Sequence, residues 1–205
     1  MSDRKRRPVV MVHGYLDLWY NPWWRRLKSY LDNFGFDPDK IRRVNLGTLP
    51  GSTIGSPREY SEEVRKVVED VYDDHGRVSI LAHSMGGVNS RWYVEKMDGR
   101  HYVDKITTLG TPHQGTYAAY LGFFSDGGQD LKPDSDLIQM LNEGGPVEGV
   151  EYNGLWGERD ALLIPKTSAK VPFDTENVTN YNLGGYGHLS LILRKSLITK
   201  YLQLL

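Results

Sequence analysis

One stretch decides the fold of this chain: Val78-Ser79-Ile80-Leu81-Ala82-His83-Ser84-Met85-Gly86-Gly87-Val88. Residues 78–82 form the apolar, β-branched run of a buried strand, and residues 85–88 are typical of the opening of a helix. Ser84 stands at the junction, where a sharp strand-to-helix turn would lift its hydroxyl clear of the backbone. Such a turn crowds the positions two before and two after the serine, which hold the small residues Ala82 and Gly86. The stretch therefore predicts a nucleophilic serine, and a tight turn built only for packing is the alternative.

Five further apolar runs lie around this strand and alternate with segments of helical periodicity. The six runs together are residues 9–12, 41–46, 78–82, 103–109, 150–156 and 178–183. Their alternation with helices is typical of a parallel sheet that helices cover on both faces. We therefore predict an α/β fold with a six-stranded, mostly parallel sheet and helices on both faces.

Two proline-containing signals mark helix starts. Asn21-Pro22 has the pattern of an N-cap with proline at the first helical position, leading into a helix over residues 23–31. Ser56-Pro57-Arg58-Glu59 has the pattern of a capping box and opens a second helix. Two more helices are predicted over residues 85–97 and 189–202.

The segment between the fourth and fifth runs does not fit this alternation. It is too long for a plain connection and contains two helix-like pieces, residues 117–124 and 135–142. Apolar side chains recur along it: Tyr117, Tyr120, Leu121, Phe123, Phe124, Ile138, Met140 and Leu141. We predict a single domain over residues 1–205, in which residues 117–149 form a small, cap-like helical insertion with these side chains on its underside. A padded loop is the alternative.

Composition narrows the classes of function. The 205 residues carry a formal net charge of −1, which gives no reason to expect nucleic acid as a partner. The basic run at residues 4–7 is interpreted as a solvated leader. The chain has no cysteine, so a thiolate metal site and a cysteine nucleophile are excluded. No apolar run approaches a membrane span and no signal peptide is expected, which leaves the location open between the cytoplasm and a secreted mature form.

Three motifs together resemble one known family. The elbow Ala82-His83-Ser84-Met85-Gly86, with alanine in place of the usual first glycine, is similar to that of the small bacterial lipases of the Bacillus lipase A type. The resemblance extends to Val-His-Gly-Tyr at residues 12–15 and to Leu-Gly-Thr-Pro-His-Gln-Gly-Thr at residues 109–116. It covers most of the chain and is weakest over residues 117–149. It implies a minimal α/β-hydrolase, a serine ester hydrolase that needs neither a metal nor an organic cofactor.

The expected chain order in this fold is nucleophile, acid and histidine. Of the six histidines, His188 follows the last predicted strand in a glycine-rich segment that would let its ring reach Ser84. A histidine that only caps the next helix is the alternative. Asp160 matches the family's acid by resemblance and would orient His188, which would accept the Ser84 proton. Three other carboxylates remain as alternatives: Glu158, Asp174 and Glu176.

Two backbone amides are expected to form the oxyanion hole. They belong to Met85, directly after the nucleophile, and to Tyr15, which follows His13 and Gly14. The family often has a smaller aliphatic residue where Tyr15 stands. The Tyr15 ring is therefore expected either to narrow the acyl site or to supply a phenolic donor.

The aromatic residues behind this loop allow two interpretations. They are too many for one helix face to bury: Leu18, Trp19, Tyr20, Trp23 and Trp24. Either Trp23 and Leu27 are core and the others brace the loop, or the cluster forms an apolar wall for the substrate. The residues predicted to bind substrate are Trp19, Tyr20, Tyr117 and Leu121.

These features predict a carboxylesterase or triacylglycerol lipase acting on short- to medium-chain acyl esters or acylglycerols through a Ser-His-Asp triad and an acyl-enzyme. A polyester hydrolase, an acyltransferase or amidase, and a hydrolase-fold receptor remain alternatives, because fold does not dictate function. The expected partners are a small-molecule or lipid ester and, transiently, a lipid or polymer surface. We expect a monomer or weak oligomer with no cofactor and no metal.

Overall fold

A computed structural model describes residues 6–47, 49 and 51–205. Residues 4 and 5 of the basic run lie outside this part of the chain. The Arg6 guanidinium stacks over the rings of Phe34 and Phe36, and Arg7 forms a 2.7 Å ion pair with Asp104. The second half of the basic run is thus held against the fold and does not form a free leader.

A sheet of six strands forms the centre of the described chain, in the order β2-β1-β3-β4-β5-β6. The strands are β1 (Val9–Val12), β2 (Ile41–Arg43), β3 (Val78–His83), β4 (Val103–Leu109), β5 (Glu151–Trp156) and β6 (Val178–Asn182). All five neighbouring pairs are parallel, and each predicted strand is present. The central strands β1 and β3 bury every residue, which is why residues 9–12 and 80–82 are apolar without alternation.

Seven α-helices of the described chain surround the sheet. They are α1 (Pro22–Asn33), α2 (Pro57–His75), α3 (Met85–Lys96), α4 (Asp126–Asp130), α5 (Asp136–Gly144), α6 (Ser190–Leu193) and α7 (Lys195–Tyr201). Alternate residues of β1 point to opposite faces. Val10 and Val12 pack with α2 and α3, whereas Val9 and Met11 pack with α1, α6 and α7. Helices therefore cover both faces, as predicted.

Three details of the helices differ from the sequence predictions. Asn21 does not cap α1 with its side chain, because that amide donates to the Asp17 carboxylate instead. The Ser56 hydroxyl accepts from the Arg58 amide at 3.1 Å, so it acts as a simple N-cap. The single helix predicted over residues 189–202 is two helices, because Arg194 has an extended backbone.

The segment from 117 to 149 contains a 3₁₀ helix (Tyr117–Gly122), then α4, which was not predicted, and then α5. Ile138 and Leu141 on α5 are buried against Met85 and Val88 of α3. They complete the core beside the nucleophile turn, and the cap-like role of residues 117–149 stays a prediction. In the part of the chain described, no helix combines the length and apolar character that crossing a membrane requires.

Candidate active site

The turn between β3 and α3 carries the predicted nucleophile. Ser84 has φ 55° and ψ −132°, in the left-handed region that residues with a side chain seldom adopt. Ser84 is partly exposed, whereas His83 before it and Met85 after it are buried. A strained serine raised at a strand-to-helix junction is the geometry of a nucleophile elbow.

Two glycines allow the backbone to close around Ser84. A Cβ atom on Gly86 would lie 2.5 Å from the His13 carbonyl oxygen, and one on Gly14 would lie 2.7 Å from the Ser84 Cβ. Both distances are shorter than carbon atoms tolerate. The loop after β1 therefore runs directly against the elbow, and only glycine fits at these two contacts.

Asp160 and His188 are in direct contact at the carboxyl edge of the sheet. His188 Nδ1 lies 2.6 Å from Asp160 Oδ2, while Asp160 Oδ1 accepts from the Leu162 amide at 3.0 Å. Asp160 is 1% exposed and His188 9% exposed. Since the carboxylate only accepts, Nδ1 carries the proton and Nε2 is left with a lone pair that can accept one.

The alternative acids lie elsewhere. Glu158 accepts from the Asn182 side chain at 3.0 Å and is exposed. Asp174 and Glu176 are exposed in the loop that leads into β6, at the opposite end of that strand from His188. Of the carboxylates weighed from the sequence, only Asp160 contacts His188.

Ser84 and the Asp160–His188 pair meet through the ends of β3 and β4. The Ser84 amide donates to the Leu109 carbonyl at 2.9 Å. Gly110 follows, and a Cβ atom on it would lie 3.1 Å from both Asp160 Oδ2 and His188 Nδ1. The Ser84 hydroxyl and the His188 ring are not joined by a hydrogen bond in the described part of the chain. Such catalytic contacts are often long before substrate binds.

The two predicted oxyanion donors lie on different elements: Tyr15 is in the loop after β1, and Met85 is the first residue of α3. In the described chain, the Tyr15 and Met85 amides donate to no protein acceptor, so both can receive an anion. His13 Nε2 accepts from the Leu46 amide at 3.2 Å, which ties the start of the loop to the chain after β2. Burial lowers the pKa of His13, against smaller opposing effects of Asp17 and the Gly14 carbonyl.

The Tyr15 phenol is used in a way that the sequence did not indicate. Its hydroxyl pairs with the Ser125 hydroxyl at 2.7 Å, and the ring lies beside Gly122 and Gly127. Ser125 also caps α4 by accepting from the Gly128 amide. The phenol therefore joins the oxyanion loop to the 117–149 segment and is engaged away from the serine.

Asp17 organises the oxyanion loop and was missed by sequence reasoning. Its carboxylate accepts from the Leu18 amide, the Asn21 side chain and the indole N–H groups of Trp23 (3.3 Å) and Trp24 (2.8 Å). One acid followed closely by an asparagine and two tryptophans is the signal that could have revealed it, since a carboxylate that is partly removed from water needs donors from the protein.

The aromatic residues predicted behind this loop are mostly structural. Trp24, 2% exposed, is the core tryptophan in place of the predicted Trp23, which is only partly buried. Trp19 lies under the Arg43 guanidinium and meets Tyr20 edge-on at 5.6 Å. These contacts favour the interpretation in which the aromatic residues brace the loop.

Tyr117 and Leu121, the other two predicted substrate-binding residues, are 56% and 82% exposed. They lie on the 3₁₀ helix of the 117–149 segment and contribute little to the core. The described residues also contain no group of three or more metal-ligating side chains.

Comparison with known proteins places the chain in a family. The family model for palmitoyl protein thioesterases matches residues 8–140. The chain belongs to that family. Triacylglycerol lipases of Pseudarthrobacter phenanthrenivorans and Burkholderia plantarii are each 32% identical to it over 195 residues, which is 89% of this chain and 56% and 50% of theirs. The chain thus spans about half the length of these curated relatives.

Solved structures show the same architecture. The mature form of Bacillus licheniformis lipase BlEst2 superposes with a TM-score of 0.76 at 18% identity, covering 100% of this chain and 94% of that one. A monoacylglycerol lipase of Paleococcus ferrophilus superposes with a TM-score of 0.67 at 13% identity, covering 95% and 93%. The predicted α/β-hydrolase fold and the resemblance to serine lipases and esterases are confirmed.

Proposed function

We propose that this chain is a serine ester hydrolase, a lipase or carboxylesterase, with Ser84 as nucleophile, His188 as general base and Asp160 as its orienting acid. The observation that carries the proposal is the buried 2.6 Å contact between His188 and Asp160 beside a serine with positive φ. The relatives named triacylglycerol lipases support the same activity. The 205 residues would form one domain, with residues 117–149 as the insertion beside the site.

The reaction has two half-reactions, and the His188 imidazole transfers the proton in both. Ser84 Oγ attacks the ester carbonyl while His188 Nε2 takes its proton, and the Tyr15 and Met85 amides stabilise the oxyanion. His188 then gives the proton to the departing alkoxide, which leaves an acyl-enzyme and a free alcohol. Water, deprotonated by the same nitrogen, cleaves the acyl-enzyme to a carboxylic acid and restores Ser84.

The exposed apolar side chains of residues 117–124 would contact the acyl chain of the substrate. Because these side chains would cover the site only in part, short- to medium-chain acyl esters or acylglycerols are the favoured substrates. The same side chains provide an apolar surface for transient contact with a lipid or polymer surface. Exposed apolar residues on neighbouring loops extend it: Leu162, Ile164 and Leu189.

Thioester hydrolysis is the second candidate, because the matched family model is that of palmitoyl protein thioesterases. The same serine, base and oxyanion donors would form the same acyl-enzyme from a thioester. A thiol leaves more readily than an alcohol, so this substrate class demands less of His188 as an acid. An acyl chain offered both as an oxygen ester and as a thioester distinguishes the two activities.

The test is a chromogenic ester series from acetate to palmitate, measured on the wild type, Ser84→Ala and Asp160→Asn. We expect Ser84→Ala to lose turnover, and Asp160→Asn to lose about 10⁴-fold in kcat because the His188 tautomer is no longer held. Glu158→Gln is the matched control and should retain wild-type rates. Turnover that survives in Ser84→Ala, or a wild type inert towards every ester and thioester, would refute the proposal.

A further inference from the structure

His83 is a buried titratable residue that the proposed mechanism does not use. It is the last residue of β3 and directly precedes Ser84. Its Nε2 lies 3.3 Å from the backbone carbonyl oxygen of His188, and the two imidazole rings are 4.6 Å apart at 50°. The residue before the nucleophile therefore contacts the residue that serves the nucleophile as base.

The contact defines the protonation of His83. A carbonyl oxygen only accepts, so Nε2 carries the proton and donates it. Nδ1 has no partner among the described residues, as suits a neutral ring. Burial, and to a smaller extent the neighbouring His188, lower the pKa of His83 well below its ordinary value, although the bond to the His188 carbonyl acts in the opposite direction.

The segment that carries His188 is irregular. Its backbone accepts from the Glu158 and Arg159 amides at the carbonyls of Gly184 and Tyr186, but these bonds lie before His188. Residues 183–189 form no helix or strand, and Gly184, Gly185 and Gly187 give the backbone wide conformational freedom. Asp160 holds His188 only at its ring nitrogen. A ring held at one point can still turn or shift with its backbone, and small displacements of a catalytic group are costly.

We propose that His83 is a positioning residue for the general base: its Nε2–H fixes the His188 backbone to the strand that carries Ser84. This inference rests on the proposed function of His188. Asp160 holds the ring. His83 Nε2–H, at 3.3 Å, is a second donor to the His188 carbonyl beside the Leu191 amide at 3.4 Å, and of the donors in the described ranges it alone joins that carbonyl to the strand that carries Ser84. A neutral donor suits this place, because His188 becomes a cation during each half-reaction and a second positive charge beside it would oppose that step.

Two variants of His83 distinguish the effect of its hydrogen bond from the effect of its side-chain volume. His83→Met fills a similar apolar space without a donor, and His83→Gln keeps an N–H group near the position of Nε2. We expect kcat to fall about 10- to 100-fold in His83→Met with KM changed less than about twofold, and to stay within about threefold of wild type in His83→Gln. A wild-type kcat in His83→Met, or an equal loss in His83→Gln, would overturn the proposal.

His113→Met is the matched control for general loosening of the core. His113 is also fully buried and bonded, to the Thr108 hydroxyl at 2.9 Å, but its ring has no contact with His188. Measured well below its unfolding temperature, this variant should keep wild-type kcat. An equal loss of kcat there would count against a specific role of His83.

A second readout does not depend on turnover. The Nδ1 proton of His188, bonded to Asp160, gives a low-field NMR signal whose exchange with water reports how firmly the pair is held. We expect exchange about tenfold faster in His83→Met than in wild type or His83→Gln. Unchanged exchange would overturn the inference, whereas a wild type without any hydrolase activity would refute only the proposed function.

Discussion

Two halves of the segment between β4 and β5 both carry apolar side chains, but the surroundings of those side chains differ. The packed half, residues 126–144, buries Leu137, Ile138 and Leu141 at 0–2% exposure. The exposed half, residues 117–124, presents Leu121, Phe123 and Phe124 at 67–82% exposure. The packed half packs against α3 beside the elbow, whereas the exposed half leaves its apolar side chains in solvent.

Arg91 explains why the packed half is fixed. Its fully buried guanidinium pairs with Glu95 at 2.7 Å and donates to the Leu141 carbonyl and the Asn142 side chain of α5. Asn142 in turn donates to the His113 carbonyl. Burial raises the pKa of Glu95 against the opposing effect of Arg91. The described residues of the exposed half have no comparable buried ion pair.

The largest expected effect comes from removing Arg91. Arg91→Met should lower the free energy of unfolding by about 3–5 kcal/mol, because it leaves Glu95 buried without its partner and releases α5. Urea unfolding measures the loss. Replacing both residues, as Arg91→Met with Glu95→Leu, should recover part of it. A single variant as stable as wild type would mean that α5 does not depend on this pair.

Two leucines compare the halves directly. Leu141→Ala should cost about 2–5 kcal/mol, since it opens a cavity against α3. Leu121→Ala should change the free energy of unfolding by less than about 0.5 kcal/mol, because that side chain already lies in solvent. Thermal and urea unfolding of both variants check the difference. Equal losses would remove the distinction between the halves.

Acid should weaken the attachment of the packed half. Burial, with Arg91 acting in the same direction, lowers the pKa of His113 well below 6.5, whereas the unfolded chain protonates this residue near 6.5. The unfolded state therefore binds more protons below that pH, and stability falls as the pH falls. In His113→Gln this dependence should be shallower by about 1.4 kcal/mol per pH unit, measured by urea unfolding. An unchanged slope would contradict the prediction.

The exposed half should determine the preference for the length of the substrate's acyl chain and should not affect stability. The triple variant Leu121→Ser, Phe123→Ser and Phe124→Ser should reduce kcat/KM for decanoate about tenfold relative to acetate, as expected for losing contact with about two methylene groups. Met140→Ser, an exposed apolar residue of the packed half, is the control and should leave the ratio unchanged. If the wild type, the triple variant and Met140→Ser all had the same decanoate-to-acetate ratio of kcat/KM, these three side chains would not contact the substrate.

The smallest effect concerns the link between the oxyanion loop and α4. Tyr15→Phe removes the hydrogen bond to Ser125 and should lower kcat/KM about fivefold, which corresponds to about 1 kcal/mol. Ser125→Ala should cause a similar loss. In a double-mutant cycle the two losses should not add, and full additivity would show that the contact has no part in catalysis.

Several features depend on contacts that the sequence pattern does not indicate. Asn21 was predicted to cap α1, but its side chain donates to Asp17, because a carboxylate brought close in space competes with the cap. Trp24 and not Trp23 is the core tryptophan, since the position of α1 against the sheet decides which face is buried. The bond from His83 to His188 spans 105 residues, so no local pattern could indicate it.

By itself, the sequence determined the order of the strands along the chain, the elbow at Ser84 and the identity of Asp160 and His188 as candidates. The strands and the elbow follow from local rules, since continuous apolar runs require buried strands and a crowded turn requires small neighbours. Asp160 was identified by its resemblance to the family's acid, and His188 by its place after the last strand. Only the tertiary structure decided which apolar residues of the 117–149 segment are core, what holds the oxyanion loop and what touches His188. Those outcomes depend on contacts between residues distant in sequence, where several partners are chemically equivalent and the fold alone selects one.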